Sequence, residues 1–110
     1  MNKINYDARK AIYEEALKTY GEKKQLMMVI EEMSEMTQVI CKLLRTPGDE
    51  DPKPATIARL VDECTDVTIM MEQLRLILDI NDKVCSRMDF KVARLANRLH
   101  ADVPKTEEEP

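Results

Sequence analysis

The sequence predicts an all-α fold, a bundle of four helices, from three observations. Its 110 residues include only 2 Gly and no Trp but 8 Met, and a composition rich in straight-chain residues favours helices over sheets. Apolar residues recur at helical spacing in four segments. Short links join the first to the second segment and the third to the fourth, which favours antiparallel neighbours. We expect one domain over residues 1–100 and a disordered acidic tail over residues 101–110.

The first half of the chain carries two predicted helices. The first runs from about Asp7, which can serve as its N-cap, to Tyr20, and Gly21 stops it. The second runs roughly from residue 22 to residue 45. Residues 47–54 contain three prolines and three acids, and a stretch of this composition forms a loop.

The second half predicts two more helices. The third begins near Pro54, because proline is favoured in a first turn, and it runs to about residue 78. Asn81 or Asp82 can cap the fourth, which reaches about residue 100. His100 is the only histidine, which argues against a Ser-His-Asp triad and against a di-iron centre built from two Glu-x-x-His pairs.

Charge, hydropathy and cysteine content argue against several classes of function. The formal net charge is −4 and the pI is about 5.1, which argues against a role in coating nucleic acid, since that needs a cationic surface. No apolar run approaches the roughly 18 residues of a membrane span, and the N-terminus lacks the apolar core of a signal peptide. Three widely spaced cysteines predict buried free thiols. We therefore expect a cytoplasmic protein with no nucleic-acid or membrane partner.

The second predicted helix places carboxylates within its apolar arc. At roughly 100° per residue, Glu32 projects between Val39 and Leu43. Glu35 lies one turn further along, at the edge of the arc, and Glu31 lies beyond that edge, towards solvent.

The third predicted helix repeats this arrangement. Glu63 projects into its apolar arc and Asp66 lies at the edge. Residues 29–40 align with residues 60–71, so that acidic positions match at three places. Each helix therefore places one carboxylate within an apolar face and a second carboxylate three residues later.

Four carboxylates inside one bundle require partners, since burying an unpaired charge costs several kcal/mol. The partners can be protons, basic side chains or a metal ion. Oxygen donors without nearby His or Cys favour Mg²⁺, with Mn²⁺ as a substitute. Because Mg²⁺ usually connects carboxylates to a substrate phosphate, the metal interpretation implies a phosphate ligand. The alternative is an ionic or interfacial network.

A basic stripe follows one face of the fourth predicted helix, at spacings of 4, 3 and 4 residues. Its members are Arg87, Lys91, Arg94 and Arg98. Such a stripe can bind phosphate oxygens, with arginine binding in bidentate fashion. It can equally be a solvated face, or form salt bridges to the acidic residues.

The two acidic segments and the basic helix together resemble a known family. Glu31-Glu32-x-x-Glu35, followed after a linker by Glu63-x-x-Asp66, resembles the ExxE…ExxD signature of the all-α nucleoside triphosphate pyrophosphohydrolases, the MazG-like superfamily. The run from Phe90 to Leu99 is similar to the basic segment of small stand-alone, phage-type members.

The resemblance implies a Mg²⁺-dependent enzyme that hydrolyses an NTP or dNTP to the monophosphate and pyrophosphate, in nucleotide-pool house-cleaning. It implies a homodimer or homotetramer of MazG-type helical bundles. The residues that match the metal ligands of the family are Glu32, Glu35, Glu63 and Asp66, and those that match its phosphate-binding positions are Lys91 and Arg94.

The remaining site residues follow less directly. Glu31 or Glu35 would orient the attacking water as the catalytic carboxylate, and the sequence does not choose between them. Gln25 and Arg98 are candidates for contacts with the nucleotide, although an exposed glutamine near a helix start would look the same.

The sequence is also compatible with two other functions. One is a phosphoribosyl-ATP pyrophosphohydrolase-like enzyme, which has similar helices and cleaves a similar bond. The other is a non-catalytic helical adaptor, because Ile69, Leu76 and Ile77 extend the apolar surface of the third helix beyond one arc.

Overall fold

The computed structural model describes residues 4–100, which form four α-helices and no strand. The helices are α1 (Tyr6–Tyr20), α2 (Glu22–Leu44), α3 (Pro54–Ile77) and α4 (Asn81–Leu99). The predicted all-α class with four helices is therefore confirmed. The predicted tail, residues 101–110, lies outside the described residues.

The ends of α1 follow from two residues. Asn5 is the N-cap, and its side-chain oxygen accepts a hydrogen bond from the Ala8 amide at 2.9 Å. The prediction of Asp7 as the cap is wrong, because Asp7 already lies in the first turn. Gly21 ends the helix as predicted, at a φ of 89° that suits glycine.

The later helices begin differently from one another. Pro54 occupies the first turn of α3, as predicted. In α4 the N-cap position is Ile80, and no side chain caps the helix. The prediction that Asn81 or Asp82 caps α4 is therefore wrong, since the helix already includes both residues.

The contacts within the chain form two compact units, one ending at Leu78 and one beginning at Asp79. The first unit contains α1, α2 and α3, and α2 packs extensively along α3. These two helices are antiparallel, because Gln25 early in α2 donates a hydrogen bond to Gln73 late in α3, at 2.8 Å. The hydrophobic residues buried within residues 4–100 are Tyr13, Val29, Val39 and Met70.

The predicted apolar arcs are only partly covered. Val39 of α2 is 1% exposed, whereas Ile30 is 69% exposed. The reason is that α3 covers one side of the α2 arc and leaves the other side open. The prediction of buried thiols is wrong: the cysteines at positions 41, 64 and 85 are all exposed.

The second unit contains α4, which is amphipathic. Its apolar side chains Met88, Val92 and Leu95 are each more than half exposed. No helix within residues 4–100 combines the length and the apolar character needed to cross a membrane.

Candidate metal centre

Residues that recur every seven positions line the contact between α2 and α3. Seven residues are about two helical turns, so side chains at this spacing lie on one face. On α2 these residues are Gln25, Glu32 and Val39; on α3 they are Thr56, Glu63 and Met70. Both outer residues of each set are buried, so Glu32 and Glu63 each lie between two buried neighbours on their helix.

Three carboxylates meet at the centre of this contact. One oxygen atom from each of Glu32, Glu63 and Asp66 lies within 4.8 Å of the other two. Glu32 and Glu63 are half-buried, whereas Asp66 is exposed. We call this cluster the carboxylate triad. It is partly buried between α2 and α3 at Glu32 and Glu63, and it is open to solvent at Asp66.

Two oxygen atoms of the triad lack partners. Within the described part of the chain, the Oε2 atoms of Glu32 and Glu63 are buried and make no hydrogen bond. Buried polar atoms in folded proteins are nearly always hydrogen-bonded, so two such oxygens, both belonging to the triad, require a specific explanation.

The environment of the triad opposes negative charge. Burial raises the pKa of Glu32, and the negative charges of Glu35 and Asp66 raise it further. Burial also leads the causes that raise the pKa of Glu63, followed by the same two neighbours. The positive charge of Arg59 acts in the opposite direction on Glu63 without cancelling the rise.

The other two predicted carboxylates lie around the triad. Glu35 is half-buried, and its charge is the strongest neighbouring influence on the pKa of both Glu32 and Glu63. Glu31 is exposed and has the weakest of the influences that raise the pKa of Glu32. The structure thus brings three of the four predicted ligands together and places Glu35 beside them.

The donor set suits a hard divalent cation. All three side chains offer oxygen, which Mg²⁺ and Mn²⁺ prefer. Ligand oxygens about 2.1 Å from Mg²⁺ span at most about 4.2 Å across an octahedron, so the three oxygens are close to the spacing that one ion needs. A cation would also provide the partner that the two buried Oε2 atoms lack.

The side chain of Gln25 is buried and already makes a hydrogen bond. It is 6% exposed, and its amide nitrogen donates to the Gln73 side-chain oxygen. Gln73 in turn donates to the Met70 sulfur at 3.3 Å. The sequence interpretation missed Gln73, although its position seven residues after Asp66 predicts that it shares a face with the triad.

The predicted phosphate-binding residues lie in the second unit, on α4. Arg94 is half-buried, whereas Lys91 and Arg98 are exposed. In the same unit the Arg87 guanidinium lies over the Phe90 ring, 4.6 Å from its centre. The helix therefore presents a cationic surface.

A second carboxylate site on α3, missed by the sequence interpretation, is fully partnered. Glu72 accepts hydrogen bonds from Arg9 on both oxygens, each at 2.9 Å, and one from the Tyr13 hydroxyl at 2.5 Å. The hydrogen bonds from Arg9 lower the pKa of Glu72. Burial and the bond to Glu72 raise the pKa of Tyr13 to about 12.

Comparison of the chain with known protein families, characterised proteins and solved structures finds no match. The resemblance to the MazG-like superfamily therefore stays a prediction that depends on residues 31–35, 63–66 and 90–99. The geometry of the triad is an observation that does not depend on this resemblance.

Proposed function

We propose that the chain is a cytoplasmic, Mg²⁺-dependent nucleoside triphosphate pyrophosphohydrolase. It would convert an NTP or dNTP to the monophosphate and pyrophosphate, with Mn²⁺ able to replace Mg²⁺. The observation that supports this proposal best is the carboxylate triad, in which two buried oxygens have no hydrogen-bond partner.

A metal explains the triad better than the other partners considered. A basic side chain would bond to the buried oxygens, but the only salt bridge among residues 4–100 joins Arg9 to Glu72. Protonation would also relieve the repulsion, and a hydrogen bond between Glu63 and Glu35 is among the causes that raise the pKa of Glu63. One proton, however, bridges only two oxygens, whereas three carboxylates meet in the triad. A divalent cation neutralises the charges and ligates the oxygens at once.

In the proposed reaction each carboxylate has a distinct task. Glu32, Glu63 and Asp66 bind Mg²⁺, which when bound supplies positive charge beside the phosphates and makes water easier to deprotonate. Glu35, half-buried beside the triad, orients the attacking water and accepts its proton. The water oxygen bonds to the α-phosphorus, the bond to the bridging oxygen breaks, and pyrophosphate leaves. Glu31, which is more exposed, is the second candidate for this base.

Basic and polar side chains complete the proposal. Lys91 and Arg94 bind the phosphate oxygens, and the fork of donors in Arg94 suits bidentate binding. Arg98 contacts the rest of the nucleotide. The predicted contact from Gln25 is not part of the proposal, because that side chain is 6% exposed and its amide nitrogen donates to Gln73.

A panel of NTPs, dNTPs and phosphoribosyl-ATP, assayed with and without Mg²⁺ for pyrophosphate release, tests the function. We expect pyrophosphate only when Mg²⁺ is present, and Glu63→Gln should lower kcat by about 100-fold or more, because even groups that merely support a metal ligand contribute 10–100-fold. The matched control is Asp62→Asn, which removes an exposed carboxylate next in sequence and should leave kcat close to wild type. Release of orthophosphate alone, or a fully active Glu63→Gln, would refute the proposal.

The same panel separates the two alternative functions. Turnover of phosphoribosyl-ATP in preference to all NTPs would assign the phosphoribosyl-ATP pyrophosphohydrolase-like activity instead. A helical adaptor predicts no turnover of any substrate, with helicity by circular dichroism unchanged in Glu63→Gln.

A further inference from the structure

A small pocket lies where the loop over residues 45–53 joins the end of α2 to the start of α3. We call it the loop pocket; its volume is about 240 Å³. The charged and buried side chains that line it are Lys42, Arg45, Glu50, Asp51, Lys53 and Thr56. Backbone hydrogen bonds fix the loop, since the Thr46 amide donates to Leu43 and the Glu50 amide to Pro47, both at 3.0 Å. The chain therefore forms this pocket by itself.

Three lining residues carry positive charge and have no ion-pair partner within the described chain. They are Lys42, Arg45 and Lys53. The only salt bridge among residues 4–100 joins Arg9 to Glu72, so the two carboxylates of the loop pocket do not pair with its cations. Three cations against two carboxylates leave one positive charge in excess, which favours an anionic ligand.

The start of α3 adds to this positive charge. Lys53 is its N-cap, no side chain caps the helix, and its first turn contains no acidic residue. The first turns of the other three helices each contain one: Asp7, Glu22 and Asp82. Because the amide groups at a helix N-terminus carry a partial positive charge, an anion in the loop pocket would supply the negative charge that the first turn of α3 lacks.

A buried hydroxyl without a partner lines the loop pocket. Thr56 is 7% exposed, and its hydroxyl makes no hydrogen bond within residues 4–100. The hydroxyls of Thr37, Thr65 and Thr68 each donate to the backbone oxygen four residues earlier. Thr56 lies in the first turn of α3, where no helical residue precedes it by four positions. Because a buried hydroxyl is normally hydrogen-bonded, a ligand with acceptor oxygens would complete this site.

We propose that the loop pocket binds the phosphate group of a small molecule. One phosphate oxygen accepts the hydrogen of the Thr56 hydroxyl, and the fork of donors in Arg45 binds two further oxygens. Lys42 and Lys53 supply additional positive charge. Thr56 precedes Glu63 by seven residues, or about 10 Å along α3, so the loop pocket is separate from the carboxylate triad and binds phosphate without a divalent cation.

Titration of the full chain with inorganic phosphate, in EDTA and at constant ionic strength, tests this site. Heteronuclear NMR should show saturable shifts of the amide resonances of residues 45–57. Thr56→Val keeps the side-chain shape but removes the hydroxyl, so it should raise Kd about tenfold through the loss of one hydrogen bond to a charged group. The matched control is Thr65→Val, whose hydroxyl bonds within α3 away from the loop pocket; it should keep the wild-type Kd. Shifts that do not saturate, or an unchanged Kd in Thr56→Val, would overturn the proposal.

Charge substitutions separate the loop pocket from the cationic surface of α4. Arg45→Gln should raise Kd about tenfold, whereas Arg94→Gln should leave it unchanged. Asp51→Asn should lower Kd about threefold, because it removes a carboxylate that opposes the anion. Loss of binding in Arg94→Gln but not in Arg45→Gln would assign the phosphate to α4 and contradict the proposal. The titration uses neither nucleotide nor Mg²⁺, so its result is independent of the proposed hydrolase activity.

A parallel titration with ribose 5-phosphate identifies the source of the phosphate group. Tighter binding of this ester than of inorganic phosphate assigns a phosphate ester as the ligand, and equal or weaker binding assigns free phosphate. Either result supports the loop pocket, provided that Thr56→Val weakens binding of the same compound. A compound whose Kd is the same in wild type and Thr56→Val binds elsewhere, and this outcome for both compounds would refute the site.

Discussion

Glu63 and Glu72 lie nine residues apart on the same helix, yet their surroundings are opposite. Glu72 has a bidentate arginine and a tyrosine hydroxyl, and the hydrogen bonds from Arg9 hold its pKa below the ordinary value. Glu63 has a buried oxygen without a hydrogen bond, and burial and neighbouring acids hold its pKa above that value.

A structural carboxylate differs from one available to a ligand in whether its partners lie within the chain. The Glu72 site is complete within the chain: every charge in it has a partner, and its bonds join α1 to α3. The carboxylate triad is incomplete within the chain, because it concentrates like charges without a basic neighbour bonded to them. Removing Glu72 should therefore weaken the fold, whereas removing Glu63 should weaken binding and catalysis.

Glu72→Gln should have the largest effect on stability. The substitution replaces the charged acceptor of Arg9 and Tyr13, and losing charge-assisted hydrogen bonds at a partly exposed site costs about 1–2 kcal/mol. Urea unfolding followed by circular dichroism measures this decrease in the free energy of unfolding. The rate of pyrophosphate release by the folded variant should be close to wild type.

The matched control for this experiment is Glu14→Gln on α1. Glu14 is exposed and lies next to Tyr13 in sequence, so its removal should change stability by no more than about 0.5 kcal/mol. Equal losses in Glu72→Gln and Glu14→Gln would show that the Arg9–Glu72 pair contributes nothing specific.

The pH dependence of stability should differ in sign between the two sites in metal-free protein. Glu63 has a folded-state pKa above the ordinary 4.5, so the folded chain binds more protons in that window and stability falls as pH rises through it. Glu72 has a folded-state pKa below 4.5, so the stability it contributes is present above 4.5 and is lost as pH falls through its folded pKa.

Urea unfolding across this pH range, with EDTA present, separates the two contributions. Glu63→Gln should reduce the loss of stability on the higher-pH side, and Glu72→Gln should reduce the loss on the acidic side. Each of these pH-dependent changes in the free energy of unfolding should be smaller than the decrease that Glu72→Gln causes at neutral pH. If the free energy of unfolding depends on pH in the same way in wild type and in Glu63→Gln, then the pKa of Glu63 is not raised.

The sequence predicted a cluster of Glu32, Glu35, Glu63 and Asp66, and the three of these that form the triad were predictable because the signal is local. Glu32 and Glu63 lie inside apolar arcs, and 3.6-residue periodicity is enough to place each of them on the face that packs. Asp66 follows Glu63 by three residues, so one helix fixes their mutual position. The helix boundaries were predictable to within one or two residues because their signals are local as well: Gly21, the proline-rich loop over residues 47–54, and Pro54 in a first turn.

The parts that the sequence did not predict depend on contacts distant in the chain. Arg9 and Glu72 are 63 residues apart, and nothing in either helix alone shows that they meet. The burial of Gln25 likewise depends on Gln73 of another helix. The exposure of Ile30 shows that an apolar arc predicts which side chains can be buried, while the neighbouring helix decides which of them are.

The central claim is that the carboxylate triad binds a divalent cation, and the stabilising effect of Mg²⁺ tests it most directly. At a concentration of about 100 times Kd, binding should raise the free energy of unfolding of wild type by about 2.7 kcal/mol. We predict the same increment in Glu72→Gln, despite its lower starting stability, and none in Glu63→Gln. Equal increments in wild type and Glu63→Gln, or no increment in wild type, would contradict the claim.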